Sequence, residues 1–170
     1  MLTIVRLTQV LCPMTMRFLH ALTLFFFVLI ASACQQAEEP GIGYSPSANP
    51  ATDLANARTV AASSGRKVLI IAGGDWCRWC HVLYRFLKQN PDVEAEMDKA
   101  FVVVKVYYGD DNTNEAFFST LPEADGFPHF WVLSSNGTIL KSISTGGLES
   151  GSDDYDRERF RQFIRDANGA

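Results

Sequence analysis

Basic residues are in the minority in this sequence. Its 170 residues include 15 Lys and Arg against 19 Asp and Glu. Arg6 and Arg17 both lie in the first 33 residues, which contain no acidic residue, so the rest of the chain has 13 basic residues against 19 acidic ones. Proteins that bind nucleic acid normally present a basic patch or stripe to the phosphates. We therefore expect no nucleic-acid partner.

The sequence also lacks a convincing membrane span, which needs about 20 consecutive apolar residues. The candidate is the shorter uncharged run 18–30, which follows Arg17 and precedes Ala31-Ser32-Ala33-Cys34. A basic residue, a short apolar run and small residues at the cleavage point are typical of a secretory signal peptide. With the cysteine that follows, the segment resembles a bacterial lipoprotein signal. A short N-terminal membrane anchor is the alternative interpretation.

The lipoprotein resemblance implies that residues 1–33 are removed, with Met14 or Met16 as alternative start residues, and that Cys34 carries the lipid. Residues 34–50 would then be a flexible tether, because they are rich in Pro, Gly, Ser and Ala and show no apolar periodicity. Residues 51–170 would form the folded domain. Since Gln35 rather than Asp follows the cysteine, the resemblance implies an outer-membrane protein facing the periplasm in a Gram-negative cell.

Cysteine is scarce as well, and the four positions have different predicted fates. Cys12 lies in the signal segment and Cys34 is the predicted lipid attachment site. Cys77 and Cys80 then have no thiol partners except each other. They stand three residues apart in the run Trp76-Cys77-Arg78-Trp79-Cys80-His81, which is the spacing of a redox-active dithiol.

Hydrophobic periodicity predicts helices and strands in alternation. Amphipathic spacing and stop residues predict helices over residues 53–64, 77–90 and 115–121, and a last helix from Asp153 or Asp154 onward. β-branched apolar runs predict strands over residues 67–72, 101–108, 129–133 and 138–144. The last two strands should form a hairpin, because Asn136-Gly137 supplies the positive φ angles of a tight turn. The first two should form a right-handed βαβ unit.

The two amphipathic helices each have a predicted buried face. The helix that begins near Cys77 should bury Cys80, Leu83, Tyr84 and Leu87. The last helix should bury Phe160, Phe163, Ile164 and Ala167, and its four arginines should lie on a solvated face.

The order of these elements, with Trp-Cys-x-x-Cys between the first strand and the second helix, resembles that of the thioredoxin-like family over residues 53–168. The segments Asp75–His81 and Gly126–His129 resemble those of exported members that carry Asp-Trp-Cys-x-Trp-Cys-His and Gly-Phe/Tyr-Pro-His. The resemblance implies an α/β thioredoxin-like fold with a central mixed four-stranded sheet flanked by helices. It also implies that Pro128 is a cis-proline facing the dithiol, with Phe127 shaping the substrate groove.

The dithiol has the two groups that thiol–disulfide exchange requires, an attacking thiolate and a resolving thiol. Cys77 is the predicted attacking residue, because an exposed position at a helix N-terminus lowers the pKa of a thiol. Cys80 is the predicted resolving residue, shielded on the apolar face one turn later. Arg78 adds a cation beside the thiolate, and Trp76 and Trp79 flank the sulfurs as covering, substrate-binding or packing groups.

One position departs from the family pattern. Many thioredoxins have a buried Asp six residues before the first cysteine, where it helps to deprotonate the resolving thiol, and this chain has Ile71. Asp75 is the nearest acid along the chain, and we expect it to cap the helix. His81 and His129 lie close to the motifs and are expected to pack or to lie at the surface.

These residues predict an enzyme that exchanges disulfides with protein substrates in the cell envelope and is recharged by a membrane thiol partner. Its electrons are carried by the cysteines, so no dissociable cofactor and no metal are expected, and the direction of electron flow is open. Three alternatives stay open: a thioredoxin-like binding module with a structural disulfide, covalent haem at Cys77–His81, and a zinc or copper site using both cysteines with His81 and His129.

Overall fold

The computed structural model describes residues 41–169. The predicted signal peptide and the lipidation site at Cys34 lie outside the described residues. The sheet contains four strands, β1 (Lys67–Gly73), β2 (Phe101–Tyr107), β3 (His129–Leu133) and β4 (Ile139–Ser144), in the order β2-β1-β3-β4. β1 and β2 are parallel, whereas the β1–β3 and β3–β4 pairs are antiparallel. The predicted mixed four-stranded sheet is confirmed.

Five α-helices within residues 41–169 flank the sheet: α1 (Pro50–Ser64), α2 (Arg78–Gln89), α3 (Pro91–Ala100), α4 (Glu115–Phe118) and α5 (Arg157–Asn168). α3 was not predicted, because Asn90-Pro91 was interpreted only as the end of α2. Proline lacks an N–H group and is well suited to the first position of a helix, where that group has no partner. Pro91 therefore ends one helix and begins the next.

The segment between β4 and α5 also differs from the prediction. A 3₁₀ turn, Thr145–Leu148, is followed by a small antiparallel hairpin of β5 (Glu149–Ser150) and β6 (Asp154–Tyr155). The last helix therefore begins after Asp156, whose side chain accepts a hydrogen bond from the Arg159 N–H at 2.9 Å. The residues predicted to start this helix belong to the hairpin.

Two hydrophobic layers cover the faces of the sheet. Leu69 and Ile71 of β1 face α2, α3 and α5, whereas Val68, Ile70 and Ala72 face α1, as the period-two alternation of a strand requires. All four residues predicted for the buried face of α5 are buried. The prediction for α2 was partly wrong, because the helix buries Cys80, Val82, Leu83 and Phe86 and leaves Tyr84 36% exposed.

Residues 41–49, here called the N-terminal strap, belong to the folded domain. Ile42 and Tyr44 are buried in the layer that contains α2, with 5% and 8% of their surface exposed. Lys105 of β2 donates a hydrogen bond from Nζ to the Ile42 carbonyl oxygen. The predicted tether at residues 34–50 was therefore wrong for its C-terminal part, because residues 41–49 belong to the folded domain and Pro50 begins α1. No helix within the described range is long and apolar enough to cross a membrane.

Candidate active site

The dithiol lies at the junction of β1 and α2. Cys77 is the N-cap residue of α2, and its backbone N–H donates to the Gly74 carbonyl oxygen at 3.0 Å. Cys77 and Cys80 form a disulfide with their Cα atoms 5.2 Å apart. Cys77 Sγ accepts a hydrogen bond from the Cys80 backbone N–H at 3.1 Å. One sulfur thus faces the free N–H groups of the helix start, and the other lies one turn into the helix.

Both cysteines are buried in the oxidised protein. Cys77 is 3% exposed and Cys80 is 2% exposed. The expectation that Cys77 is exposed at the helix start was therefore wrong for this redox state, whereas the shielding of Cys80 is observed. Trp76, the residue before Cys77, is exposed, with 55% of its surface accessible.

Gly73 allows the Cys80 sulfur to approach the end of β1. A Cβ atom at this position would lie 2.9 Å from the Tyr44 hydroxyl oxygen and would overlap with Cys80 Sγ. Real Cβ atoms essentially never approach other heavy atoms so closely. Gly73 therefore makes room for the resolving sulfur at the end of β1.

Two buried hydroxyl groups, those of Thr145 and Tyr155, form a chain of hydrogen bonds to the Pro128 loop. The Phe127–Pro128 peptide bond is cis, as the resemblance implied. The Pro128 carbonyl oxygen accepts a hydrogen bond from Thr145 Oγ1 at 3.1 Å. The Tyr155 hydroxyl in turn donates to Thr145 Oγ1 at 3.1 Å, and burial raises the pKa of Tyr155. Tyr155 therefore stays protonated and acts as a donor.

Sequence reasoning missed Thr145 and Tyr155. β3 and β4 pair His129 with Ser144, which places Thr145, the residue after β4, beside Pro128. Because this register includes a bulge between Val132 and Leu133, the sequence offered no clear signal for Thr145. We also find no signal for Tyr155, whose position depends on the hairpin of β5 and β6.

Three aromatic side chains form a surface next to the disulfide, here called the aromatic platform: Trp76, Tyr108 and Phe127. The Phe127 ring stacks on the Tyr108 ring with centroids 4.8 Å apart, and Trp76 meets Phe127 edge-on at 5.6 Å. Trp76 Nε1 donates to the Tyr108 carbonyl oxygen at 2.5 Å. Tyr108, which directly follows β2, was not among the predicted site residues.

Arg78 and Trp79 contact the segment that follows β4. The Arg78 guanidinium donates to the Ser152 carbonyl oxygen at 3.0 Å and lies 5.8 Å from the centroid of the Trp79 ring. Trp79 packs edge-on against Tyr155 at 5.5 Å. These contacts link the middle of the Cys-x-x-Cys motif to the hydroxyl pair beneath Pro128, and they favour the packing role for Trp79.

Asp75 does not cap α2, contrary to the prediction. Cys77 holds the N-cap position, and the Asp75 carboxylate instead accepts a hydrogen bond from the Ile42 N–H at 3.3 Å. Asp75 therefore ties the N-terminal strap to the loop before the dithiol. His81 is exposed, and its Nε2 atom forms a hydrogen bond with the Asp75 carbonyl oxygen at 2.7 Å.

His129 is buried in the sheet, in agreement with the expected strand position. Its Nδ1 atom accepts from the Asp125 N–H at 3.2 Å, so its Nε2 atom carries the proton and donates to Ser142 Oγ at 2.9 Å. Burial lowers the pKa of His129. Within residues 41–169, no group of three or more His, Cys, Asp or Glu is arranged to hold a metal ion.

The comparison with protein families decides the classification. The profile of the thioredoxin-like family matches residues 49–135, which is half of the chain and includes the disulfide and the Pro128 loop. The chain belongs to the thioredoxin-like family.

Two solved structures resemble this thioredoxin-like domain. The crystal structure of a disulphide isomerase from Xylella fastidiosa Temecula1 matches with a TM-score of 0.62 and 22% identity, over 73% of this chain and 95% of that one. The C-terminal domain of DsbD from Neisseria meningitidis, in its oxidised form, matches with a TM-score of 0.53 and 16% identity, over 71% and 97% of the two chains. At these identities the likeness shows a shared fold. No curated protein matches the sequence.

Proposed function

We propose that this thioredoxin-like domain is a thiol–disulfide oxidoreductase that exchanges disulfides with protein substrates in the cell envelope. The observation that carries the proposal is the closed Cys77–Cys80 disulfide at the N-terminus of α2, where the ring of Trp76, the residue before Cys77, contacts the ring of Phe127, the residue before the cis Pro128. The names of the two similar structures, a disulphide isomerase and a DsbD domain, support it.

The reducing half-reaction begins with the Cys77 thiolate. It attacks one sulfur of a substrate disulfide, the substrate S–S bond breaks, and the second substrate sulfur leaves as a thiolate that takes up a proton. The N-terminus of α2 favours negative charge at this position, and the Cys80 N–H already points at Cys77 Sγ over 3.1 Å. Cys77 is therefore the better placed of the two sulfurs for attack.

Cys80 completes the exchange. After losing its proton, it attacks Cys77 Sγ in the mixed disulfide, the Cys77–Cys80 bond forms, and the first substrate sulfur leaves as a thiolate. The substrate gains two electrons and the dithiol loses them. The reverse sequence oxidises a substrate dithiol, and in both directions the electrons are stored in the two sulfurs, so the proposal requires no dissociable cofactor.

The aromatic platform and the Pro128 loop are the proposed substrate-binding elements. Trp76 directly precedes Cys77 and contacts Phe127, which precedes Pro128. Trp76 and Tyr108 are 55% and 37% exposed. Aromatic rings bury large apolar areas and also accept offset or edge-on aromatic partners. We propose that this surface binds the apolar side chains that flank a substrate cysteine. Phe127 contacts both Trp76 and Tyr108 and keeps the two rings in place.

Membrane attachment through a lipid on Cys34 is part of the proposal and rests on the Ala31–Cys34 sequence. In this arrangement the domain works close to a membrane and exchanges electrons with a membrane thiol partner. Expression of the full chain with and without Cys34→Ser, followed by membrane fractionation, tests the attachment. We expect the wild-type chain in the membrane fraction and the variant in the soluble fraction.

Reduction of insulin disulfides by the purified domain tests the catalytic roles. Wild-type protein with a reductant should reduce insulin faster than the reductant alone, and Cys77→Ser should abolish the acceleration. Cys80→Ser should trap mixed disulfides through Cys77, because the resolving step is blocked. Full activity in Cys77→Ser would overturn the mechanism, and a failure of Cys80→Ser to trap any protein would favour the binding-module alternative.

A further inference from the structure

Cys80, the resolving thiol, lies near two polar side chains, Lys105 and Tyr44, that were not predicted from the sequence. Ile71 of β1 occupies the position at which many thioredoxins have a buried acid. The strand register pairs Ile71 with Lys105 of β2, so a cation lies on the strand next to the missing carboxylate. A cavity of about 200 Å³ reaches Cys80 from this side and is also lined by Ile71, Lys105 and Tyr44.

Tyr44 of the N-terminal strap brings a hydroxyl group to the same place. The Tyr44 hydroxyl and Cys80 Sγ both crowd the position that a Cβ atom on Gly73 would occupy. Tyr44 is only 8% exposed, and its hydroxyl makes no hydrogen bond to any residue of the described chain. Burial, with smaller effects of Tyr155 and Asp75, raises the pKa of Tyr44, so the phenol is a neutral O–H donor.

Lys105 is fixed against the strap. Its Nζ atom donates to the Ile42 carbonyl oxygen and lies 5.5 Å from the centroid of the Tyr44 ring and 5.7 Å from that of Tyr84. Burial, together with repulsion from Lys88, lowers the pKa of Lys105. The amine remains a hydrogen-bond donor in either protonation state.

The other charged residues of the cavity largely balance one another. Lys88 and Glu94 form an ion pair at 2.6 Å on its wall, and Asp98 lines it from α3. Asp75, before α2, is bound to the strap through the Ile42 N–H. The uncharged donor at this place is therefore the Tyr44 hydroxyl, which shares the space beside Gly73 with Cys80 Sγ, and the Lys105 amine lies near the Tyr44 ring.

We propose that Tyr44, positioned by Lys105, donates a hydrogen bond to the Cys80 thiolate whenever the Cys77–Cys80 disulfide opens, and so makes the dithiol a better oxidant. The inference rests on the proposed exchange function and gives it a preferred direction, oxidation or isomerisation of substrate thiols. A carboxylate beside Cys80 would repel the thiolate, whereas a phenol stabilises it.

The chemical step is the attack of a substrate thiolate on Cys77 Sγ. The substrate–Cys77 bond forms, the Cys77–Cys80 bond breaks, and Cys80 leaves with the electron pair as a thiolate. A leaving thiol of lower pKa leaves faster. A hydrogen bond from Tyr44 at this moment therefore speeds the oxidising direction and stabilises the reduced protein.

Tyr44→Phe tests the inference, with Tyr84→Phe as the matched control because it removes a phenol hydroxyl from the same cavity while keeping its ring near Lys105. The reduction potential is measured by equilibration with glutathione, and the Cys80 pKa by thiolate absorbance in a Cys77→Ser background. For Tyr44→Phe we expect a higher Cys80 pKa and about a tenfold shift of the equilibrium toward the disulfide, which is about 30 mV for two electrons. Tyr84→Phe should match the wild type.

Lys105 provides a second, independent test of the arrangement. Lys105→Met should shift the potential in the same direction, and Lys105→Arg should restore it, because Arg keeps the donor and the charge. Thermal unfolding of each variant checks that the domain is still folded. Equal potentials in wild type and Tyr44→Phe, or equal shifts in Tyr44→Phe and Tyr84→Phe, would overturn the inference. If Cys77→Ser still abolishes exchange in that case, the proposed function stands without it.

Discussion

The Thr145 hydroxyl donates a hydrogen bond to the Pro128 carbonyl oxygen over 3.1 Å, and both residues are buried. The same hydroxyl accepts a hydrogen bond from Tyr155, so the Pro128 loop is connected to the β5–β6 hairpin. Trp79, inside the Cys-x-x-Cys motif, packs on the Tyr155 ring. The two halves of the candidate site, which are about 50 residues apart in sequence, thus share one buried support.

Thr145→Val should weaken this support while preserving the shape of the side chain. The Pro128 carbonyl and the Tyr155 hydroxyl each lose a buried partner, and a buried unsatisfied polar group costs about 1–3 kcal/mol. Urea unfolding of the oxidised protein measures the loss. Thr59→Val on α1 is the control, because the Thr59 hydroxyl bonds to the Ala55 carbonyl at the exposed surface. Equal stability of the two variants would contradict a supporting role for Thr145.

Gly73→Ala should destabilise the protein, because the added methyl group has no room beside Cys80 Sγ and the Tyr44 hydroxyl. Overpacking of this kind typically costs about 1–3 kcal/mol. Gly147→Ala serves as the control, since a Cβ atom there meets no atom within 4 Å. Chemical unfolding of both variants in the oxidised state measures the difference. A Gly73→Ala protein as stable as Gly147→Ala would show that the strap shifts freely away from the sulfur.

Much of the fold could be predicted because the decisive residues act locally. Gly65 adopts the left-handed conformation that ends α1. Asn136-Gly137 lies at the β3–β4 turn as expected, although only Gly137 has the predicted positive φ. α3 was missed because Pro91 both ends and begins a helix. The strap was missed because Ile42 and Tyr44 are isolated apolar residues in a segment whose average composition is that of a linker.

The support beneath Pro128 could not be predicted from local rules. The β3–β4 register shifts between Val132 and Leu133, so that Leu133 pairs with Ile139 whereas Val132 pairs with Lys141. If the strands paired regularly from Leu133 and Ile139 onward, without this bulge, Pro128 would lie opposite Ser144 rather than Thr145. The position of a functional hydroxyl therefore depends on an irregularity that has no clear mark in the sequence.

His129 should make the domain less stable in mild acid. Burial lowers its pKa, so the unfolded chain binds a proton at a higher pH than the folded chain. Above the unfolded pKa, which is about 6.5 for histidine, His129 is neutral in both states and the free energy of unfolding is unaffected by its titration. Below that pH the unfolded chain binds the proton more strongly, so the free energy of unfolding falls. The nearby Asp125 carboxylate opposes this effect but is the weaker influence.

Thermal unfolding at several pH values between about 7.5 and 5 measures this dependence. His129→Gln is the comparison, because a glutamine side chain does not titrate in this range. The wild-type protein should lose more stability across this interval than the variant does. Identical pH profiles would show that His129 accepts its proton without disturbing the sheet.

Trp76→Ala should reduce the rate of exchange with protein substrates more than the rate with a small thiol. The variant removes the most exposed ring of the aromatic platform, and an aromatic contact contributes about 0.5–1.5 kcal/mol beyond its buried area, which is roughly twofold to thirteenfold in kcat/KM. Glutathione offers no apolar flank to this surface, so its rate should change little. Val60→Ala, an exposed apolar residue on α1 outside the platform, provides the control. Parallel losses with both substrates would mean that Trp76 acts on the dithiol itself, through the hydrogen bond of its indole to the Tyr108 carbonyl, rather than on the substrate.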